Sequence, residues 1–134
     1  MPFSCKIGDS FYLPDIGGRH RYVILTNPNS DGKVVLVNFT DSSNVDSPVI
    51  FGPRDDKLLF SKRTGIYYAY AQLVPANKLK ISKIEGWEFC QLNNVKRIII
   101  GAFKSQHTPI FILKELSTQY PEEHKRHCTW DFLL

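Results

Sequence analysis

The stretch RYVILTNPNSDGKVVLVNFT, residues 21 to 40, decides the fold of this chain. It holds two runs rich in Val, Ile, Leu, Tyr and Phe, RYVILT (21–26) and KVVLVNFT (33–40), on either side of the polar segment NPNSDG. Runs of this composition are typical of β-strands, and the pair Asp31-Gly32 can supply the positive φ of a tight connection. We therefore predict that the two runs form an antiparallel hairpin.

Shorter runs on both sides of this hairpin extend the predicted sheet. They are FYLP (11–14), PVIF (48–51), KLLF (57–60) and IYYAYAQLV (66–74), separated by turn clusters such as PDIGG, GPRDD and SKRTG. Five or six short strands with close turns are too few for a two-sheet sandwich, and they favour a small, strongly bent barrel that closes its own edges. We predict such a β-barrel core over residues 1–75.

The second half of the chain changes to a helical period. In QLNNVKRIIIGAFKS (91–105) the apolar residues recur at spacings of three and four, which predicts an amphipathic helix. Thr108 followed by Pro109 is typical of an N-cap with proline at the first helical position, so a second helix is predicted from there to Tyr120-Pro121.

Two segments of the second half carry no clear period. Residues 76–90 are predicted to be a connector. The tail, residues 122–134, is charged and then apolar, and it could dock on the barrel or on another subunit through Trp130, Phe132 and Leu133. The predicted fold class is thus mainly β with C-terminal helices (α+β). It is a single domain over residues 1–134, with the barrel core at 1–75 and the connector, two helices and tail at 76–134.

Composition narrows the class of protein. With 43% hydrophobic and 22% charged residues, the chain resembles an ordinary globular protein. No apolar run approaches the roughly 20 residues that span a bilayer, and MPFSCKIGD lacks the regions of a secretory signal. We therefore expect a cytoplasmic protein with no membrane partner. Three scattered cysteines, Cys5, Cys90 and Cys128, favour reduced thiols, and the net charge of +4 is compatible with a polyanionic partner.

Three consecutive ionisable residues, Arg19, His20 and Arg21, follow a glycine pair, and Arg21 is the first residue of the second predicted strand. Arginine binds phosphate oxygens through two parallel hydrogen bonds, and histidine can move a proton near neutral pH. The triplet could therefore serve phosphodiester cleavage. The alternative is a solvated hairpin rim without a ligand.

A polar segment, NFTDSSN (38–44), follows the third predicted strand directly. The hydroxyl groups and the carboxylate of this segment could bond a phosphate or a sugar hydroxyl; they belong to Thr40, Asp41, Ser42 and Ser43. The alternative is local turn chemistry, because the same residue types cap turns.

Basic residues and tyrosines alternate in SKRTGIYYAYA (61–71). Lys62 and Arg63 could bind phosphates while bases stack on Tyr68 and Tyr70, the usual combination in single-stranded nucleic-acid binding. Strand alternation places Tyr68 and Tyr70 on one face and Tyr67 on the other. At least one of these tyrosines is expected in the core.

Other candidate sites are weaker. His124, His127 and Cys128 lack a matching fourth ligand for zinc, so we expect no metal site. Asp55 and Asp56 are predicted to belong to a turn. No Walker loop, nucleophile elbow or dinucleotide fingerprint is present, and we expect no cofactor.

The order of these motifs resembles the MazF/PemK-like toxin superfamily, in particular its small relatives. The resemblance covers about residues 7–75 and rests on GDSFYLP, RYVILTNP, GKVVLVNFTDSS and SKRTGIYYAYAQLV. It implies an SH3-like barrel that dimerises, cleaves single-stranded RNA without a metal and has an antitoxin as partner. It also implies an active-site arginine where the first loop meets the second strand, here Arg19, His20 or Arg21, and a Thr or Ser after the third strand, here Thr40.

The chain departs from the family pattern at three positions. Family toxins commonly have a proline directly after the arginine and another before the Thr segment, where this chain has Arg21 or Tyr22 and Asn38. Asp41 stands where a second hydroxyl is usual. Its carboxylate would repel an RNA phosphate unless Arg19 or Arg21 pairs with it.

The leading hypothesis is a metal-independent endoribonuclease. Arg19 and Arg21 would stabilise the phosphorane, His20 would act as general acid or base, and Thr40 would orient the phosphate or the 2′-hydroxyl. The first alternative is a non-catalytic RNA- or protein-binding module on the same barrel. The second is a role in protein interaction through the helices and the tail.

Overall fold

The computed structural model describes residues 5–13, 20–80 and 84–128, and over these residues the chain forms six β-strands followed by three α-helices. The strands are β1 (Asp9–Tyr12), β2 (Arg21–Ile24), β3 (Lys33–Asp41), β4 (Thr64–Ile66), β5 (Gln72–Pro75) and β6 (Glu85–Phe89). The helices are α1 (Leu92–Lys104), α2 (Ile110–Gln119) and α3 (Pro121–His127). Short 3₁₀ turns lie at Ser42–Asn44, Tyr68–Tyr70 and Ala76–Lys78. The predicted α+β class is confirmed.

The central strand of the sheet is β3, and all strand pairs are antiparallel. One edge of β3 pairs with β2, while the other pairs with β5 along residues 33–36 and with β4 along residues 39–41. β1 pairs with β2, and β6 with β1. The predicted β2–β3 hairpin is confirmed, with Tyr22 opposite Asn38 and a positive φ of 72° at Gly32 in its turn.

Among the described strands β6 pairs only with β1, and no ladder joins it to β4 or β5. The sheet is therefore open, and its strands do not close edge to edge into the predicted barrel. The run KLLF (57–60) is a turn, because the Asp56 carboxylate accepts hydrogen bonds from the backbone N–H groups of Leu58 and Leu59. From PVIF (48–51) only Phe51 forms a β-bridge.

The sixth strand lies in the segment predicted to be a connector. Its pairing with β1 shifts register between Ser10 and Tyr12, and Gly86 has a positive φ of 60° at this irregularity. A glycine readily adopts this backbone conformation, which interrupts the alternation of a strand. For this reason the sequence of β6 lacks the regular alternation that is typical of a strand.

The helical half contains one helix more than predicted, since α3 occupies the first part of the predicted tail. Pro109, and not Thr108, occupies the N-cap position of α2 and makes no side-chain cap. The Thr108 hydroxyl instead donates to the Ala102 carbonyl at 2.7 Å. None of the described helices is long and apolar enough to cross a membrane. The predicted docking of the tail falls on residues outside the described part of the chain: Trp130, Phe132 and Leu133.

Apolar side chains fill both sides of the sheet. The larger cluster packs strands against the helices and includes Val23, Val35, Val37, Ile98, Ile99, Leu113 and Leu116. The smaller cluster includes Phe11, Tyr22, Ile24, Val34, Leu36, Leu79 and Ile84. Since neighbouring residues of a strand point to opposite faces, β3 is buried on both. This explains why VVLV (34–37) is continuously apolar and does not alternate.

Tyr68 joins the sheet to α1. Its side chain is 2% exposed, and its hydroxyl donates to the Ile98 carbonyl at 2.7 Å. A Cβ added to Gly101, on the same helix, would overlap this hydroxyl. The close approach of helix and tyrosine therefore requires glycine at position 101.

We predict that Gly101→Ala destabilises the fold, although alanine normally favours a helix over glycine by about 1 kcal/mol. Overpacking against the buried Tyr68 should lower the free energy of unfolding by about 1 to 3 kcal/mol. Urea unfolding measures this change. In the double variant Gly101→Ala/Tyr68→Phe the hydroxyl is absent, so part of the lost stability should return relative to Gly101→Ala. A Gly101→Ala protein as stable as the parent would contradict the packing described.

Candidate functional site

An open groove of about 320 Å³ lies where β2 begins and β3 ends. The register of the hairpin creates it. Tyr22 pairs with Asn38, so continuing the same ladder by two residues brings His20 level with Thr40. Its wall includes His20, Arg21, Thr40, Asp41 and Lys62. We call this cavity the basic groove, because three of these five residues are basic.

Arg21 is held in place by β1. Its guanidinium carbon lies 4.5 Å from the centre of the Tyr12 ring, and Nη1 donates to the Ser10 hydroxyl at 3.4 Å. That hydroxyl in turn donates to the Tyr22 carbonyl at 2.8 Å. The Ser10 contact uses one of the five N–H donors of the guanidinium. The group is thus oriented and still has donors to offer an anion.

The strand β6 forms the surface behind this arginine. A Cβ on Gly86 would lie 3.1 Å from Cδ2 of Tyr12 and 3.4 Å from Nη2 of Arg21. Glycine therefore lets the β6 backbone approach the Tyr12–Arg21 pair. Sequence reasoning missed Tyr12 and Gly86. Tyr12 could have been found from strand alternation, because Phe11 and Leu13 belong to the core and leave Tyr12 on the other face.

Asp41 has a partner that the sequence did not predict. Its Oδ1 accepts hydrogen bonds from the Ser43 backbone N–H at 3.0 Å and from the Ser43 hydroxyl at 2.8 Å. Its Oδ2 lies 3.3 Å from the Lys62 ammonium, so among the described residues Lys62, and not Arg21, is the cation that pairs with it. The Ser43 hydrogen bonds and the Lys62 ammonium lower the pKa of the Asp41 carboxyl. Asp41 is therefore ionised at neutral pH and neutralises Lys62.

Thr40 is 8% exposed, yet its hydroxyl reaches the groove. Within the described part of the chain no fully buried side-chain oxygen or nitrogen lacks a hydrogen-bond partner, and this hydroxyl forms no such bond, so its oxygen contacts solvent. The groove wall does not include Ser42 or Arg63, which bond to each other through their backbones. Arg19 lies outside the described residues.

The tyrosines are arranged differently from the predicted strand. Residues 68–70 form a 3₁₀ turn, so strand alternation does not apply to them. Tyr68 is buried in the core, and the prediction that it stacks on RNA bases is wrong. Tyr70 is 61% exposed, and its ring stacks on that of Tyr67 with 4.3 Å between centroids.

A second cavity, of about 220 Å³, lies beside the basic groove. We call it the tyrosine cavity, after the wall residues Asn44, Asp46, Ile66, Tyr67 and His107. Asn44 belongs to the walls of both cavities. The two therefore form adjacent parts of one surface.

The remaining candidate residues have structural contacts. Asp55 accepts a hydrogen bond from the Gly52 backbone N–H, as predicted for a turn, and also pairs with Arg97 at 2.7 Å. These contacts lower its pKa. Burial raises the pKa of Cys90 to about 12, so its thiol is protonated at neutral pH. Among the residues that the structure describes, no three His, Cys, Asp or Glu side chains are grouped to hold a metal ion.

Comparison of the chain with protein-family models, with curated proteins and with solved structures gives no match. The resemblance to the MazF/PemK-like toxin superfamily therefore stays a prediction made from the residues.

We predict that Asp41 titrates below 3.8, the ordinary value for this carboxyl. Because the lower pKa belongs to the folded state, the stability that the carboxylate contributes is complete above the unfolded-state pKa. It is lost as the pH falls below about 4. Carbon-detected NMR of the Asp41 carboxyl measures the midpoint. Ser43→Ala should raise it by removing one hydrogen bond, and a parent midpoint at or above 3.8 would contradict the described contacts.

Proposed function

We propose that the basic groove binds single-stranded RNA and cleaves it, which makes the chain a toxin-like endoribonuclease. The observation that carries the proposal is the shared wall of the groove: His20, just before β2, and Arg21, its first residue, line the same cavity as Thr40 near the end of β3. An oriented guanidinium, an imidazole and a hydroxyl in one cavity can bind a phosphate, transfer a proton and orient a reacting oxygen.

In the proposed reaction the ribose 2′-hydroxyl attacks the adjacent phosphate. A bond forms from the 2′-oxygen to phosphorus, and the bond from phosphorus to the 5′-oxygen of the next nucleotide breaks. The 2′-hydroxyl loses a proton and the leaving 5′-oxygen gains one, which yields a 2′,3′-cyclic phosphate and a 5′-hydroxyl. His20 transfers one of these protons, Arg21 stabilises the phosphorane, and Thr40 orients the phosphate or the 2′-hydroxyl. Arg19 is proposed to assist Arg21, and no metal is required.

The proposal takes the open sheet as a variant of the SH3-like barrel of the MazF/PemK type. Its support is the order of elements, with a charged segment before β2 and a hydroxyl-rich segment after β3. A homodimer, an antitoxin partner and a cytoplasmic location belong to the same proposal. The exposed apolar side chains of Ile110 and Phe111 on α2 offer a surface to a protein partner.

A second candidate function is a binding module that does not cleave. The observation in its favour is the Asp41 carboxylate, which stands in the groove wall and neutralises Lys62. A charge of this sign repels phosphate. Salt-dependent binding of RNA that remains intact would select this function over the endoribonuclease.

We predict that the purified protein cleaves a mixed-sequence single-stranded RNA in EDTA. His20→Ala should lower the rate by about 10² to 10⁴, the usual contribution of general acid–base catalysis. Arg21→Ala should lower it by about 10² to 10³, because it removes the oriented donors for the phosphorane. Single-turnover rates and the detection of cyclic phosphate ends measure both effects.

The matched control for Arg21→Ala is Arg54→Ala, which removes the same charge from an exposed turn outside the groove. It should cleave at the parental rate. Equal rates for His20→Ala and the parent would remove His20 from the mechanism. Intact RNA after incubation with the parent would overturn the endoribonuclease.

We also predict that Asp41→Asn raises affinity for RNA about two- to five-fold at low salt, because it removes the repelling charge and frees Lys62. Asparagine caps turns as well as aspartate, so the fold should persist. The control Asp31→Asn makes the same change of charge in the exposed β2–β3 turn and should leave affinity nearly unchanged. Fluorescence anisotropy at several salt concentrations measures both variants. Weaker binding by Asp41→Asn would show that the carboxylate itself contacts the ligand.

A further inference from the structure

The tyrosine cavity has the chemistry of a base-binding site. The half-buried ring of Tyr67 and the buried side chain of Ile66 give it flat and apolar walls. Tyr70 stacks behind Tyr67 with an interplanar angle of 23°, so the two rings support each other. Aromatic rings in such positions stack with the bases of single-stranded nucleic acids.

Polar groups complete the wall. Asn44 carries an amide, and Asp46 carries a carboxylate, and both side chains are exposed. Within the described part of the chain neither side chain forms a hydrogen bond or an ion pair. Both are therefore available to the edge of a ligand that lies against Tyr67.

The size and position of the cavity limit the ligand. Its volume of about 220 Å³ is below the roughly 300 to 1,000 Å³ of pockets that enclose whole small molecules, which suits a single base. Because Asn44 stands in both walls, a base in the tyrosine cavity leaves its own phosphate or the next one near the basic groove.

Resting on the proposed function, we infer that the tyrosine cavity binds the base of the nucleotide next to the scissile phosphate and prefers guanine. Guanine presents two adjacent N–H donors to the Asp46 carboxylate and a carbonyl oxygen to the Asn44 amide. Uracil presents one N–H between two carbonyl oxygens, so an acceptor would face the carboxylate. Hydrogen bonds of this kind distinguish bases.

The test uses two fluorescein-labelled RNA hexamers, UUGUUU and UUUUUU, with 2′-O-methyl groups throughout so that the attack on phosphate is blocked. Fluorescence anisotropy measures their affinities. The parent should bind UUGUUU about ten-fold more tightly than UUUUUU. Tyr67→Leu should weaken binding of UUGUUU by about ten-fold. Asp46→Asn should reduce the ratio of the two affinities towards one.

The control Phe89→Leu replaces an exposed aromatic ring on β6, outside both cavities, and should change neither affinity. A hexamer that lacks the base at the guanine position tests the same contact with unaltered protein, and it should bind at least as weakly as UUUUUU.

Three outcomes separate this inference from the proposed function. Equal binding of the three hexamers, together with weaker binding by Arg21→Ala, would overturn the base site and leave the RNA groove in place. Preference for guanine that survives in both Tyr67→Leu and Asp46→Asn would place the base elsewhere and would also overturn the inference. Absence of binding to any hexamer at low salt would overturn both proposals.

Discussion

The burial of β3 on both faces is the constraint on which the rest of the structure depends. Residues 34 to 40 are all buried; helices α1 and α2 cover one face, and a smaller cluster with Leu79 and Ile84 covers the other. A shift of one residue in this strand would exchange the side chains of the two faces, so its register is fixed. The place where β3 leaves the core, just after Thr40, is fixed with it, and Thr40 and Asp41 form part of the wall of the basic groove.

Local composition predicts those elements whose spacing of apolar residues is visible within their own segment of sequence. The hairpin of β2 and β3 and the helix α1 follow from apolar runs, a glycine turn and helical spacing. Other elements depend on distant contacts. KLLF (57–60) has strand composition, but a hydrogen bond from the Leu58 backbone N–H to the Asp56 carboxylate holds it in a turn. Tyr68 lies in a strand-like run, but it is buried beneath α1 in a 3₁₀ turn. These outcomes depend on packing partners that no short window of sequence contains.

The same limit applies to the candidate site. The register of the hairpin explains why His20, Arg21 and Thr40 meet, and the sequence singled out all three. The contacts of Arg21 with Tyr12 and with the backbone at Gly86 were not predicted, because these two residues belong to strands that meet only after folding. For Asp41 the sequence left turn chemistry and ligand chemistry as alternatives, and the structure shows the turn chemistry. It caps the turn Ser42–Asn44 and stands in the groove wall. That turn also places Asn44 between the two cavities.

The anchoring of Tyr68 has a consequence for its neighbours. Tyr67 and Tyr70 flank a side chain that is fixed in the core by its hydrogen bond to Ile98, and their rings are already stacked on each other. This stacking restricts the rotamers of both side chains in the folded protein, before any ligand arrives. Such preorganisation lowers the entropy cost of ordering side chains when a ligand binds. The rigid packing of the core thus limits the motion of side chains on a surface that contacts solvent.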